Sequence, residues 1–349
     1  MSTPRIILDA VGGDHAPSVV VAGALLALHE FDLEVILVGP DELVQAELTK
    51  QLGHQALPSG LRTVHASQVI GMDEHPLSAI RSKRNSSIVV GLGLVARGEA
   101  EAFVTAGSTG AAMATAVLEL RRIAGINRPA LATPFPTRSG PCLLLDVGAS
   151  AEARPQNLLQ FAVMGSIYAE RVFGLPSPRV GLLNIGEEES KGNPLYQEAN
   201  QLLRQAPIRF IGNVEGKDIP SGVADVVVMD GFVGNVLIKL AEGMATNLLD
   251  IVRTEIRSNL LTTLLGAGLL PVFRRLRRRL DYAEYGGAPL LGVNGICIVA
   301  HGRSNALAIR SAVRVAADAV KHSMLDRIRD GLSETAANVA TAQSTEPPS

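Results

Sequence analysis

The chain has 349 residues, 47% of them hydrophobic and 19% charged, with a formal net charge of -2; this suffices for one large unit or two lobes and excludes a disordered polyelectrolyte. Trp is absent and aromatic residues make up 3%, so nucleic acid, which needs stacking surface or general positive charge, is not an expected partner. The longest apolar runs, such as Val19 to Leu28 and Leu264 to Phe273, are about half of the roughly 20 residues that a membrane-spanning helix needs, and the opening MSTPRIILDAVGGDH lacks a secretory pattern, which gives a cytoplasmic expectation.

Short runs rich in Val, Ile and Leu alternate with longer Ala- and Leu-rich stretches of helical period. That alternation predicts an α/β fold with a mainly parallel sheet flanked by helices. In chain order, strands are expected at Arg5 to Asp9, Glu34 to Val38, Leu61 to His65, Ala102 to Thr105, Cys142 to Asp146, Arg179 to Asn184, Ile208 to Ile211, Asp225 to Met229 and Gly295 to Ala300. Gly91 to Gly98, GLGLVARG, lacks the third Gly of a dinucleotide fingerprint and reads as helix packing. Pro129, Pro134 and Pro136 mark a lobe crossing after a helix that begins near Gly110. Cys142 and Cys297 sit far apart in apolar strands, so buried thiols are expected rather than a disulfide, a zinc site or a nucleophile. Residues 333–349, polar and rich in Ser, Thr and Ala, are expected to form a disordered tail.

The strand ends carry more information than the strands. They are followed by AVGGDHAP, AGSTG, VGAS, IGEEESKGN, GNVEG, DGFVGN and HGRSN, each combining Gly with small polar or ionisable residues. In open α/β sheets ligands bind beyond the carboxyl ends of the strands, where Gly permits close backbone approach and helix N-termini favour anions. One such loop could be turn chemistry alone; the set predicts an anion or phosphate site. Asp9, Asp14 and His15 can converge there, although Asp14 could equally cap the helix after Pro17 and leave His15 exposed. Glu187, Glu188 and Glu189 have no His at ligand spacing and read as a solvated loop, so no metal is expected. No P-loop and no GxSxG elbow is present.

At DAVGGDHAP (Asp9 to Pro17) the sequence resembles the phosphate acyltransferase (PlsX) family. Similar stretches follow in order at RSKRNSS (Arg81 to Ser87), TAGSTGA (Thr105 to Ala111), GINRPA (Gly125 to Ala130), LDVGAS (Leu145 to Ser150), LLNIGEEESKGN (Leu182 to Asn193), FIGNVEG (Phe210 to Gly216), DGFVGN (Asp230 to Asn235), YGGAPLLGV (Tyr285 to Val293) and HGRSNALAI (His301 to Ile309). The chain departs from the family pattern at Ser108 and Ser150, where the family usually has Asn, and at Val11, where it has Met. The resemblance implies conversion of acyl-acyl-carrier-protein and inorganic phosphate to acyl phosphate for phospholipid synthesis, with no cofactor and a downstream glycerol-3-phosphate acyltransferase. It implies a fold like that of the isocitrate and isopropylmalate dehydrogenases, two lobes around a cleft, in a homodimer. On this reading residues 1–332 form the catalytic unit, with a second lobe over roughly 105–285 that includes a helical hairpin near 256–280.

Phosphate is already anionic near neutral pH, so attack on a thioester requires positioning and charge neutralisation rather than an activated Ser or Cys. Lys191, Asn235 and His15 are the expected catalytic residues, although Lys191 could be a surface lysine paired with a Glu. The expected substrate-binding set is Asp9, Gly12, Gly13, Asp14, Gly107, Ser108, Thr109, Gly110, Asn184, Asn193, Asp230, His301, Gly302 and Ser304. Competing readings are a phosphotransacetylase-like enzyme using acyl-coenzyme A, a non-catalytic membrane or carrier-protein docking module, and a nicotinamide-dependent dehydrogenase, which lacks a nucleotide fingerprint.

In Ile256 to Leu280, a leucine stripe that includes Leu264 and Leu265 precedes Arg274, Arg275, Arg277, Arg278 and Arg279. An apolar stripe beside a basic cluster suits an anionic membrane, each basic residue contributing about 1 kcal/mol, and the resemblance implies peripheral attachment to the inner membrane face. The same residues could instead dock the carrier protein or form the dimer interface. The expected outcome in vesicle flotation is salt-sensitive recovery with anionic lipid, weakened by charge reversal at Arg274 and Arg278 and by Leu264→Glu or Leu265→Glu. Equal recovery with neutral lipid would assign the segment elsewhere.

Overall fold

A computed structural model describes residues 3–150, 152–258 and 286–345, with Thr262, Gly268 and Val272 between the last two stretches. The expected helical hairpin, with Leu264, Leu265 and the five arginines from Arg274 to Arg279, lies outside the described residues apart from its first positions and those three. In chain order the first part contains β1 (Arg5–Asp9), α1 (Ser18–Glu30), β2 (Glu34–Gly39), α2 (Asp41–Leu52), β3 (Leu61–His65), α3 (Pro76–Ser82), α4 (Ser87–Ala96), β4 (Ala102–Thr105), α5 (Thr109–Glu119) and β5 (Ala130–Leu131). The middle holds β6 (Thr133–Thr137), β7 (Gly140–Leu145), α6 (Pro155–Val172), β8 (Arg179–Asn184), α7 (Pro194–Arg204), β9 (Arg209–Glu215), β10 (Val226–Val228) and α8 (Gly231–Ile256). The chain closes with β11 (Ala288–Leu291), β12 (Ile296–Val299), α9 (Ala306–Lys321) and α10 (Met324–Thr345).

These strands make two sheets, of order β3-β2-β1-β4-β12-β11-β5 and β6-β7-β10-β8-β9. The first is parallel from β3 to β12, and the second is parallel from β7 to β9. Their strands are continuous apolar runs because both faces are covered. Successive side chains of β1 point opposite ways: Ile6 and Leu8 enter the core that contains Val20 and Ile309, whereas Ile7 packs with Ile88 and Leu92. In β7, likewise, Leu143 and Leu145 face one core and Cys142 and Leu144 the other. Each buried aliphatic side chain contributes about 1.5–3 kcal/mol. Burial also pushes the Cys142 and Cys297 thiols up to about 12, as expected of inert core cysteines.

Nine expected strands are present, with shifted ends at several, most at β9, which starts at Arg209 and runs to Glu215. Three others were not expected. β5 has two residues, β11 carries Pro289, and β6 carries Pro134 and Pro136. β6 is an edge strand of its sheet, where a proline's missing N–H costs no ladder bond. The chain passes from one sheet to the other at Ala132, between β5 and β6, whereas α5 packs against α3, α4 and β12 of the first sheet. The second sheet therefore begins well after residue 105. The segment expected as a disordered tail also differs: α10 continues as helix to Thr345, consistent with the helix propensity of its Ala-rich sequence.

Gly91 lies in α4, where a Cβ would sit 2.5 Å from Phe103 Cε2 and 3.1 Å from Ile7 Cγ2. The absent side chain lets the helix lie on the sheet. Gly91→Val is expected to lower stability by about 1–3 kcal/mol through overpacking, read as a reduced urea midpoint at unchanged m-value.

Candidate active site

The carboxyl ends of β1, β4 and β12 lie on one edge of the first sheet, and their loops are bonded together. Asp9, 1% exposed, ends β1. Its Oδ2 accepts from Thr105 Oγ1 at 2.7 Å, and that hydroxyl oxygen accepts from the Gly107 N–H at 2.9 Å. Burial pushes the Asp9 carboxyl above the usual range, opposed by the hydroxyls of Thr105 and Ser87 and the N–H groups of Val11 and Gly12. Gly12 fits against this knot because a Cβ there would come within 2.8 Å of Gly107 N and 2.9 Å of Thr105 Oγ1; Gly13 follows at φ +102°. The third loop joins through the Asp14 N–H, which donates to Gly302 O at 2.8 Å, and the Ala300 N–H, which donates to Thr105 O at 2.7 Å.

Around this knot the expected residues take distinct positions. His15 and Asp14 are exposed, and Asp14 does not cap α1, whose N-cap position is Pro17 with no side-chain bond. Ser108 caps α5, its hydroxyl accepting from the Ala111 N–H at 3.4 Å. A Ser and an Asn are equally good N-caps, so the departure from Asn preserves that local role. Thr109 and Gly110 occupy the first turn of α5, where backbone N–H groups face out of the helix end. Gly110 also makes room for Pro76, whose Cγ would lie 2.6 Å from a Cβ. His301 Nδ1 accepts from the Arg303 N–H at 3.2 Å. Ser304, 3% exposed, donates its N–H to His301 O at 2.9 Å.

A second group occupies the carboxyl ends of β7, β8 and β10. Asp146, fully buried, accepts at Oδ1 from Leu131 N at 3.0 Å, Gly148 N at 3.1 Å and Ala149 N at 2.8 Å, and at Oδ2 from Ser150 N at 2.8 Å. Burial raises its carboxyl, and these four donors oppose the shift by stabilising the charged form. The Leu131 bond ties this loop to β5 of the other sheet. Gly231 admits the first turn of α8 against the loop, since a Cβ would sit 2.6 Å from Asp146 Oδ2, and Ser150 O accepts from the Gly231 N–H at 3.0 Å. Asp230 caps α8, with Oδ1 accepting from Phe232 and Val233 N–H at 3.0 Å each and Oδ2 from Tyr196 Oη at 2.6 Å. Asn235, exposed in α8, lies beside Gly148: a Cβ on that glycine would be 3.7 Å from Asn235 Cγ.

The 185–193 loop is held at both ends. Asn184 Nδ2 donates to Lys191 O at 3.1 Å, and its Oδ1 accepts from the Ile185 N–H at 2.8 Å. Asn193 caps α7, accepting from the Tyr196 N–H at 3.3 Å. Lys191 Nζ lies 3.9 Å from Glu188 Oε2 with both side chains exposed, a weak surface pair. The expected residues thus divide between two strand-end groups. Asn184, Asn193 and Asp230 spend their side chains on local structure, whereas His15, Thr109, Lys191 and Asn235 reach solvent. Missed by sequence reasoning were Asp146, Thr105 and Tyr196. Asp146 was legible as a strand-end Asp before a Gly loop, like Asp9; Tyr196 gave no signal, because its partner is 34 residues away.

Loops of this kind on a doubly covered, mainly parallel sheet define an α/β protein with the fold of the phosphotransacetylases and of a phosphate-substrate dehydrogenase. A phosphotransacetylase from Streptococcus pyogenes superposes with a TM-score of 0.64 over 91% of this chain and 94% of that one at 18% identity. A 4-hydroxythreonine-4-phosphate dehydrogenase from Klebsiella pneumoniae gives 0.53 over 90% and 98% at 13% identity. The family model described as "Fatty acid synthesis protein" matches residues 4–327. Proteins named phosphate acyltransferase from Heliobacterium modesticaldum and Desulfitobacterium hafniense are 53% and 51% identical, covering 93% and 94% of this chain and 97% of each relative. The chain belongs to the phosphate acyltransferase family.

Tyr196→Phe leaves one buried oxygen of Asp230 without its donor. It is expected to cost about 1.5–3 kcal/mol in urea denaturation, as for a hydrogen bond to a charged group. Asp146→Ala, which strands four N–H groups, is expected to cost more.

Proposed function

We propose that this chain transfers the acyl group of acyl-acyl-carrier-protein to inorganic phosphate, giving acyl phosphate and free carrier protein for phospholipid synthesis. The observation that carries this reading is identity of about half the residues, over nearly the whole chain, with proteins named phosphate acyltransferase. The strand-end loops support it, because they combine anion-favouring helix ends with exposed Lys191, Asn235 and His15. A phosphate oxygen forms a bond to the thioester carbonyl carbon, and the carbonyl electrons move onto oxygen. Collapse of that tetrahedral species breaks the C–S bond and releases the carrier's thiolate, which takes up a proton.

In this scheme the loops of Asp9 to His15, Gly107 to Gly110 and His301 to Ser304 cradle phosphate, with His15 orienting it. Lys191 and Asn235 stabilise the reacting phosphate or the developing oxyanion, Lys191 through its charge and Asn235 as a hydrogen-bond donor. Lys191 would exchange its weak pair with Glu188 for substrate. Asp9, Asp146, Asp230, Asn184 and Asn193 hold the loops in place. Direct attack needs no acyl-enzyme, in keeping with two cysteine thiols pushed up to about 12 by burial. A second reading, acyl-coenzyme A as donor, is favoured by the phosphotransacetylase fold; supplying the same acyl group on each carrier separates the two.

The homodimer belongs to the same proposal. Along α8, Phe232, Val236, Leu240, Met244, Leu248 and Ile251 are all exposed, and their spacing of four and three places them in one stripe. A second copy of the chain would cover it. Peripheral contact with the inner membrane face, delivering acyl phosphate to a glycerol-3-phosphate acyltransferase, rests on the Ile256 to Leu280 sequence. No described helix is long and apolar enough to cross a membrane.

The test combines acyl-carrier protein and phosphate and follows free carrier thiol together with hydroxylamine-trapped acyl phosphate. Lys191→Ala and Asn235→Ala are expected to lose about 100- to 1000-fold in turnover, whereas Cys142→Ala with Cys297→Ala retains it. Near-native turnover in folded Lys191 and Asn235 variants would remove those roles, and an isolated, kinetically competent acyl-enzyme would remove direct attack.

A further inference from the structure

Residues 68–86 form a closed excursion between β3 and α4. Its base is tied by the Gln68 N–H to Asn85 O at 3.1 Å, the Ser87 N–H to Gln68 O at 3.3 Å and the Asn85 N–H to Gln68 Oε1 at 3.0 Å. Inside, Lys83 Nζ is held by Val69 O at 2.8 Å and Glu74 Oε1 at 2.6 Å, while the same Glu74 oxygen accepts from the Gly71 N–H at 2.5 Å. Ile70, Ala79 and Ile80 are buried in the core. This is a fixed surface, not a loose loop.

Its outer side is unusual. Val69, Met72 and Leu77 are 40%, 54% and 51% exposed. In α3, Leu77 and Arg81 are four residues apart and lie on one side of the helix, both exposed. Arg81 and Arg84 are exposed, and neither has an ion pair among the described residues; the Lys83–Glu74 pair cancels, leaving Asp73 as the remaining carboxylate of the segment. The excursion also reaches the first strand-end group at two points. Met72 Cε would lie 2.7 Å from a Cβ on Gly302, and Pro76 fills the space that Gly110 leaves open. An apolar and basic surface thus adjoins the loops that would cradle phosphate.

We propose that this surface, centred on Met72, Leu77, Arg81 and Arg84, docks the acidic carrier protein and presents its thioester arm to the strand-end loops. The proposal rests on the acyl-carrier reading above and adds where the carrier sits. The arginines supply charge complementarity to an acidic partner, chiefly accelerating association, and the apolar side chains supply the desolvated centre of the contact. The other basic cluster, Arg274 to Arg279, is then left to a different task.

Two thioesters bearing one acyl chain test it: acyl-carrier protein and acyl-pantetheine, which lacks the protein. The Arg81→Glu/Arg84→Glu and Leu77→Glu variants, checked for native thermal unfolding, are expected to lose at least about tenfold in kcat/KM on acyl-carrier protein at low salt and to keep wild-type kcat/KM on acyl-pantetheine. Arg81→Lys/Arg84→Lys should retain most activity on both. Equal losses on both thioesters would move the arginines to the reacting groups and overturn docking, as would no loss on either. A direct titration with holo-carrier protein keeps the two proposals apart. Binding by the wild type that is weakened in the variants supports docking even if no acyl phosphate forms, in which case the enzymatic reading alone falls. Absence of binding, or variants that lose anionic-vesicle binding while carrier binding stays intact, would overturn docking.

Discussion

A carboxylate removed from water must be met by donors or it will not remain charged, and the strand-end edge of this protein is arranged around three that are so met. Asp9 is held by Thr105 and the following backbone, Asp146 by four N–H groups, and Asp230 by two N–H groups and Tyr196. Each converts a flexible Gly-rich loop into a fixed one. The bonds engage both oxygens of each side chain, so the three aspartates hold their loops, and the side chains that reach solvent are their neighbours.

Those neighbours arrive by a consistent division of labour. Ser108 and Asp230 cap α5 and α8 just after β4 and β10, and Asn193 caps α7 at the far end of the loop that follows β8. Side chains near these caps, Thr109, Lys191 and Asn235, are exposed. Proteins with the same fold but little sequence identity, such as the phosphotransacetylase at 18%, indicate that the fold tolerates wide change, and function must be argued from loops.

Parallel, fully buried strands were legible because an uninterrupted run such as RIILD or AFVT has few other uses. The short antiparallel pieces were not: Ala130–Leu131 has no pattern of its own, and the prolines of Thr133–Thr137 argue against a strand unless its edge position is known. At the site, the Gly-rich loops and their order were visible in the sequence. The use of each residue was not, because it depends on partners far along the chain. Asn184 reads as a ligand and fastens its own loop, and for Lys191 the sequence left a surface pair with a Glu open without showing that the partner is Glu188. The Ser in place of Asn at position 108 is intelligible only once the cap is seen.

The crossing at Ala132 has a mechanical consequence. Leu131, the last residue of β5, gives its N–H to Asp146 and accepts at its carbonyl from the Val147 N–H at 3.0 Å, and β6 begins one residue later. The two sheets therefore meet along a stitched seam instead of a free linker at this point. A wide swing of one against the other would tear the stitches and, through Asp146, unmake the loop that supports Asn235. Any opening between the two sheets would therefore have to begin away from this seam.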